Sequence, residues 1–94
     1  MTNRELAIWW FDGFAEAVSG HIDRGALATH RRTIAEGTYR ELSVQRVHYR
    51  YSADRCAELS IETDEPHHGA SGWIFASRNW AALAAIYELA MEDL

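Results

Sequence analysis

The chain has 94 residues and a mass of 10.7 kDa, which gives room for one domain around one core and excludes a multidomain reading of residues 1–94. Hydrophobic residues make up 48 % of it, including four Trp, four Tyr and three Phe, so a packed core is affordable and disorder is excluded. The single cysteine, Cys56, excludes an internal disulfide and a cysteine-built zinc cage, and no apolar run nears the roughly 20 residues of a membrane span.

The first element is announced by Thr2-Asn3-Arg4-Glu5, which has the spacing of a capping box. The helix it opens is predicted to reach about Ser19, with Gly20 as a left-handed stop. Its buried stripe reads Leu6, Trp10, Phe14, Ala17 and His21, widened by Ala7, Phe11, Val18 and Ile22. Trp9, Asp12 and Glu16 fall on the other side. Gly13, inside the helix, costs about 1 kcal/mol against alanine. The apolar run from Leu6 to Phe11 follows Arg4 and Glu5 and is broken by Asp12, so it does not read as a signal peptide, and a cytoplasmic protein is expected.

Residues 26–36, between Gly25 and Gly37, fit a second short helix burying Leu27, Ile34 and Ala35. Thr38-Tyr39-Arg40-Glu41 repeats the capping-box spacing, while the alternation of Leu42 and Val44 equally permits a strand; both readings of residues 38–44 stay open.

From residue 46 the pattern has a period of two. Val47, Tyr49 and Tyr51 alternate with Arg46, His48, Arg50 and Ser52; Ala57, Leu59, Ile61 and Thr63 alternate with Cys56, Glu58, Ser60 and Glu62. This predicts a hairpin turning at Ala53-Asp54-Arg55, with Arg50 opposite Glu58 and Arg46 opposite Glu62. Residues 64–72 read as a polar loop, residues 73–76 as a third strand, and Ser77 as the cap of a last helix burying Trp80, Leu83, Ala84, Tyr87, Ala90, Met91 and Leu94. The predicted fold is α+β, a small three-stranded antiparallel sheet packed against N- and C-terminal helices in the order α(α)βββα.

No catalytic constellation emerges. In the predicted hairpin His48 lies about 13 Å from Cys56, too far for a nucleophile and its base. His67 and His68, after Asp64 and Glu65, form a metal-like cluster without the converging third and fourth ligands that zinc needs. The glycines build no phosphate-cradling loop, and Gly69-Ala70-Ser71-Gly72 lacks the spacing of a nucleophile elbow. The expectation is a non-enzymatic protein with no cofactor and no metal.

Charge then ranks the binding classes. The nine basic residues are all arginine, and the formal net charge is −5. Residues 57–94 carry net −6 and residues 1–56 net +1. The acidic half favours a protein partner with a basic surface over nucleic acid. Trp9 beside Asp12 and Glu16 is a candidate anchor for an arginine-bearing partner, and Glu62, Asp64 and Glu65 are candidate steering charges. The alternative is a nucleic-acid binder using the Arg-rich segment 24–50, with Arg31, Arg32 and Arg40 on phosphates or bases. Apolar surface left over at Ile8, Ile86 and Leu89 would serve a homodimer.

In format, over its whole length, the chain resembles the small phage-encoded inhibitors called anti-CRISPR proteins. The features that carry the likeness are its length, the acidic C-terminal half (Glu58, Glu62, Asp64, Glu65, Glu88, Glu92, Asp93), the missing catalytic motif and the lysine-free, Ala-rich composition. The resemblance implies a stoichiometric inhibitor of a bacterial nucleic-acid-targeting complex, such as a CRISPR effector complex or nuclease, working in the host cytoplasm.

Overall fold

The computed structural model describes residues 1–63, 69–92 and 94, and these form an all-α fold: α1 (Asn3–Val18), α2 (Arg24–Glu36), α3 (Tyr39–Glu62) and α4 (Gly69–Met91). The starts of α1, α2 and α3 are fixed by side-chain caps. Thr2 accepts from the Glu5 amide, Asp23 from the Ala26 amide, and Thr38 and Glu41 close a full capping box, with N···O distances of 3.2 and 3.3 Å. The end of α2 is held from outside: the Arg4 guanidinium donates to the carbonyls of Ala35 (2.8 Å) and Gly37 (2.5 Å), a cation placed where the helix dipole is negative. Gly37 is required there, since a Cβ would lie 2.5 Å from the Thr33 carbonyl oxygen.

The helices run up, down, up, down. Asn3 reaches Glu92 at one end, Arg4 reaches Gly37 at the same end, and His21 stacks edge-on against Phe75 toward the other. α3 and α4 form a long antiparallel hairpin, α1 packs on α4, and α2 packs mainly on α1. At 1.5 Å per residue α3 is about 36 Å long and α1 about 24 Å, so the hairpin outreaches α1 and sets the 44 Å long axis of the molecule. Phe11, Ile34, Leu42, Leu83 and Tyr87, all at most 1 % exposed, bring every helix into one core.

The predicted α+β architecture is overturned: no strand occurs among the described residues. Residues 46–62 are helical, so Arg50 does not face Glu58 nor Arg46 Glu62 across a ladder; Arg55 pairs with Glu58 (2.8 Å) and Glu62 (3.6 Å) along α3 instead. Two physical facts favour the helix. Ala53-Asp54-Arg55 contains no glycine or asparagine able to take the positive φ of a tight hairpin turn. And no Gly or Pro interrupts the chain from Thr38 to Glu65. The side of α3 that faces α4 is Leu42, Arg46, Tyr49, Ala53, Cys56, Ser60 and Thr63, alternating steps of four and three. These residues are mostly small or polar, whereas Val47, Tyr51 and Ile61, which created the two-residue alternation, are 58 %, 69 % and 84 % exposed.

Residues 73–76 are likewise part of α4 and not a strand, and Ser77 lies inside that helix, donating across the hairpin to the Ala53 carbonyl (2.8 Å). The small residues of α3 allow this close approach. The first helix is rotated from its expected stripe: Ala7, Phe11 and Val18 are buried, whereas Trp10, Ala17 and His21 face outward. Gly20 is not left-handed; the helix end closes through Ser19, His21 and Ile22 amides folding back onto Glu16 and Val18 carbonyls. In α2, Ile34 is buried and Leu27 partly so, as expected, but Ala35 is exposed. Leu94, expected in the core, is exposed as well.

Candidate functional site

The rotation of α1 opens a groove. Trp9, Asp12, Gly13 and Glu16 form one wall, and Ala82, Ala85, Ile86 and Leu89 on α4 form the other. Each set is spaced i, i+3, i+4, i+7, the spacing that aligns side chains along one helix face. Trp10 and Phe14 line the groove beside them, and the open volume it holds is about 850 Å³. Seven residues of rise make it about 10 Å long, two helical turns.

Two tryptophans stand at its end. Trp9 and Trp10 meet edge to face, with ring centroids 5.3 Å apart and planes at 83°, and remain 62 % and 55 % exposed. Both walls are low at their middle, because Gly13, Ala82 and Ala85 project little or nothing. The rim carries two carboxylates in different states. Asp12 is engaged by Arg31 of α2 through two hydrogen bonds (2.9 and 3.3 Å), which also hold the Arg31 guanidinium above its ordinary pKa. Glu16 forms no ion pair among the described residues. The surface is therefore apolar in the middle and acidic at one edge.

Of the residues expected to meet a partner, Trp9, Asp12 and Glu16 come together in this groove. Glu62 does not join them: it ends α3 near the far tip of the hairpin, beside Arg55. Asp64 and Glu65 lie outside the described residues, as do His67 and His68. The arginines of the nucleic-acid alternative are dispersed. Arg31 is paired with Asp12, Arg32 lines a shallow cleft shared with Glu36 and Glu41, and Arg40 sits exposed on the first turn of α3. Sequence reasoning placed Trp10 and Phe14 in the core stripe and so missed them as groove residues. The signal available was the i, i+3, i+4, i+7 row from Trp9 to Glu16. Ile86 and Leu89, expected as leftover apolar surface, are largely covered and line the groove, and Ile8 packs against the core.

A second polar feature is internal. His30 of α2 is bonded at both ring nitrogens, Nδ1 to the Tyr87 hydroxyl at 2.6 Å and Nε2 to the Tyr49 hydroxyl at 3.1 Å. Neutral imidazole has one donor and one acceptor nitrogen, so it satisfies one phenol as acceptor and the other as donor. Burial lowers the His30 pKa and raises those of both tyrosines, Tyr87 furthest. Tyr49 also stacks on Trp80 at 5.1 Å. The cluster fastens α2 to the α3–α4 hairpin.

Cys56 is buried in α3, and His48 lies exposed eight residues earlier on the same helix, about 12 Å along its axis. It is the rise of one helix, and not the register of a hairpin, that separates them. Among the described residues no group of three or more His, Cys, Asp or Glu side chains converges on a metal-sized site. No described helix is long and apolar enough to cross a membrane. In comparisons with known proteins, no family model, no curated protein and no solved structure matches the chain.

Proposed function

We propose that the protein is a non-enzymatic protein-binding module that engages its partner through the α1–α4 groove. The observation that carries the reading is the pair of tryptophans held more than half exposed beside an open apolar groove with an acidic edge. Water-exposed tryptophan on a rigid helix is costly in solution and is the residue type that most often dominates binding energy once a partner covers it. The formal charge of −5 and the free Glu16 select a basic partner surface, setting association rate and salt sensitivity, while Trp9 and Trp10 set residence time. The distribution of arginines supports a protein over nucleic acid: Arg31 is already neutralised by Asp12, and Arg32 lies near Glu36 and Glu41.

The finer reading, taken from the anti-CRISPR-like format, is stoichiometric inhibition. The module would occupy an arginine-rich site on a bacterial nucleic-acid-targeting complex and exclude its natural ligand. Affinity capture from bacterial lysate with mass-spectrometric identification tests it, using the native chain and a Trp9→Ala/Glu16→Arg double variant as paired baits. The expected result is a nucleic-acid-handling complex recovered with the native chain, lost with the variant, and blocked in its own binding assay at one equivalent. Equal recovery on both baits, or no effect on nucleic-acid binding, overturns it.

A further inference from the structure

Gly13 is unexplained by the fold. It sits in the interior of α1 with ordinary negative φ, and a Cβ built on it would meet nothing within 4 Å. Neither backbone conformation nor close packing within this chain calls for glycine, yet glycine in a helix interior costs about 1 kcal/mol relative to alanine. Its effect is to leave a notch in the groove wall between Trp9 and Glu16, opposite the small Ala82 and Ala85.

Resting on the protein-binding reading above, we infer that the occupant of the groove is a single amphipathic helix of the partner, lying over Gly13, with arginine or lysine along the flank that meets Glu16. Three observations define it. The small residues of the two walls admit another helix at backbone-level distance, of the order of 8–10 Å between axes. The groove spans two turns, so it accommodates anchors at i, i+3 or i+4, and i+7. And the free carboxylate lies on one edge only, with Asp12 already satisfied by Arg31, so a cationic flank is favoured on one side of the incoming helix. A second copy of this chain fits poorly. It would bring Glu16 near its own mate between two molecules of charge −5, and a two-turn groove falls short of the roughly 800 Å² per partner that a stable dimer buries.

The test uses a lactam-stapled helical peptide of about fourteen residues, with leucines at i, i+3, i+4 and i+7 and arginines on one flank, and a twin with glutamates on that flank. Fluorescence anisotropy with the full chain is expected to show the arginine peptide binding about tenfold more tightly than its twin at low salt, with Glu16→Arg removing or reversing the preference. Gly13→Leu is expected to abolish binding while its melting temperature stays level or rises. Should that variant misfold, Ala85→Gln on the opposite, exposed wall fills the same notch. Equal affinity for the two peptides, no binding of either, or undiminished binding by the filled-notch variants overturns the inference. So does sedimentation of the native chain as a dimer that Gly13→Leu dissociates. If the partner found by affinity capture is retained by Gly13→Leu, the helix-in-groove inference falls and the binding module stands; if the native chain captures nothing, the binding module falls on its own.

Discussion

His30 shows how one side chain couples stability to pH. Protonated, it becomes a donor at both nitrogens, so the phenol that donated to the neutral ring must turn to accept and its hydroxyl proton loses that partner, on top of the cost of burying the charge. Folding therefore favours the neutral ring, and the folded pKa lies below the unfolded value of 6.5. The unfolded chain binds more protons between those two values, so stability is full above pH 6.5 and is lost as pH falls through the folded pKa. Urea midpoints at pH 7.5 and pH 5 should differ in that direction, and His30→Gln should reduce the difference. Arg46 bears on stability through burial alone. Its Nε is buried with no hydrogen-bond partner among the described residues, on the face of α3 that otherwise packs against α4. An unsatisfied buried polar group costs about 1–3 kcal/mol, so Arg46→Met is expected to raise the urea midpoint. A lowered midpoint would show that the guanidinium is stabilising where it lies.

At the scale of the element, α3 is where the residue pattern and the fold part company. Hydropathy marked Val47, Tyr51 and Ile61 as inward and paired them in a hairpin; the helix turns all three outward and buries Ala53 and Cys56. The reason is packing. A hairpin of two long helices gains more from close approach over small residues than from large side chains, and a scale that rewards size does not see an Ala, Cys and Ser stripe. The decisive clues were in the sequence: the Thr38–Glu41 box, the unbroken run after it, and the turn-poor Ala53-Asp54-Arg55. The caps at Thr2 and Thr38, the helix at residues 26–36 and most of the α4 stripe were legible because they rest on local chemistry. The groove was half legible. Trp9, Asp12 and Glu16 stood out as an exposed row, but the rotation that adds Trp10 and Phe14 depends on how α1 meets α4, which is tertiary. Substitutions separate the two descriptions of α3. Val47→Arg is expected to change stability by less than about 0.5 kcal/mol, as an exposed position should. Ala53→Leu should cost about 1–3 kcal/mol by overpacking the α3–α4 seam. Chemical denaturation of both variants checks this; a neutral Ala53→Leu with a destabilising Val47→Arg would restore the hairpin.

For the whole molecule, the up-down-up-down path sets the groove on one side of an elongated body, along the C-terminal half of α4, and leaves the α3–α4 tip beyond the end of α1. That tip also exposes apolar side chains, Ile61, Ile74 and Phe75 among them. The groove is the proposed recognition surface because it combines a concave apolar wall, two exposed indoles and, at Glu16, a carboxylate with no ion pair among the described residues on a single face. The four tryptophans divide these regions cleanly: Trp9 and Trp10 in the groove, Trp80 stacked on Tyr49, and Trp73 toward the tip. The most direct measurement is the indole N–H region of a ¹⁵N-labelled protein, recorded while the captured partner is titrated in. The Trp9 and Trp10 signals should shift or broaden first while Trp80 and Trp73 hold their positions. A spectrum in which Trp73 responds and the two groove indoles do not would place binding at the hairpin tip and contradict the account.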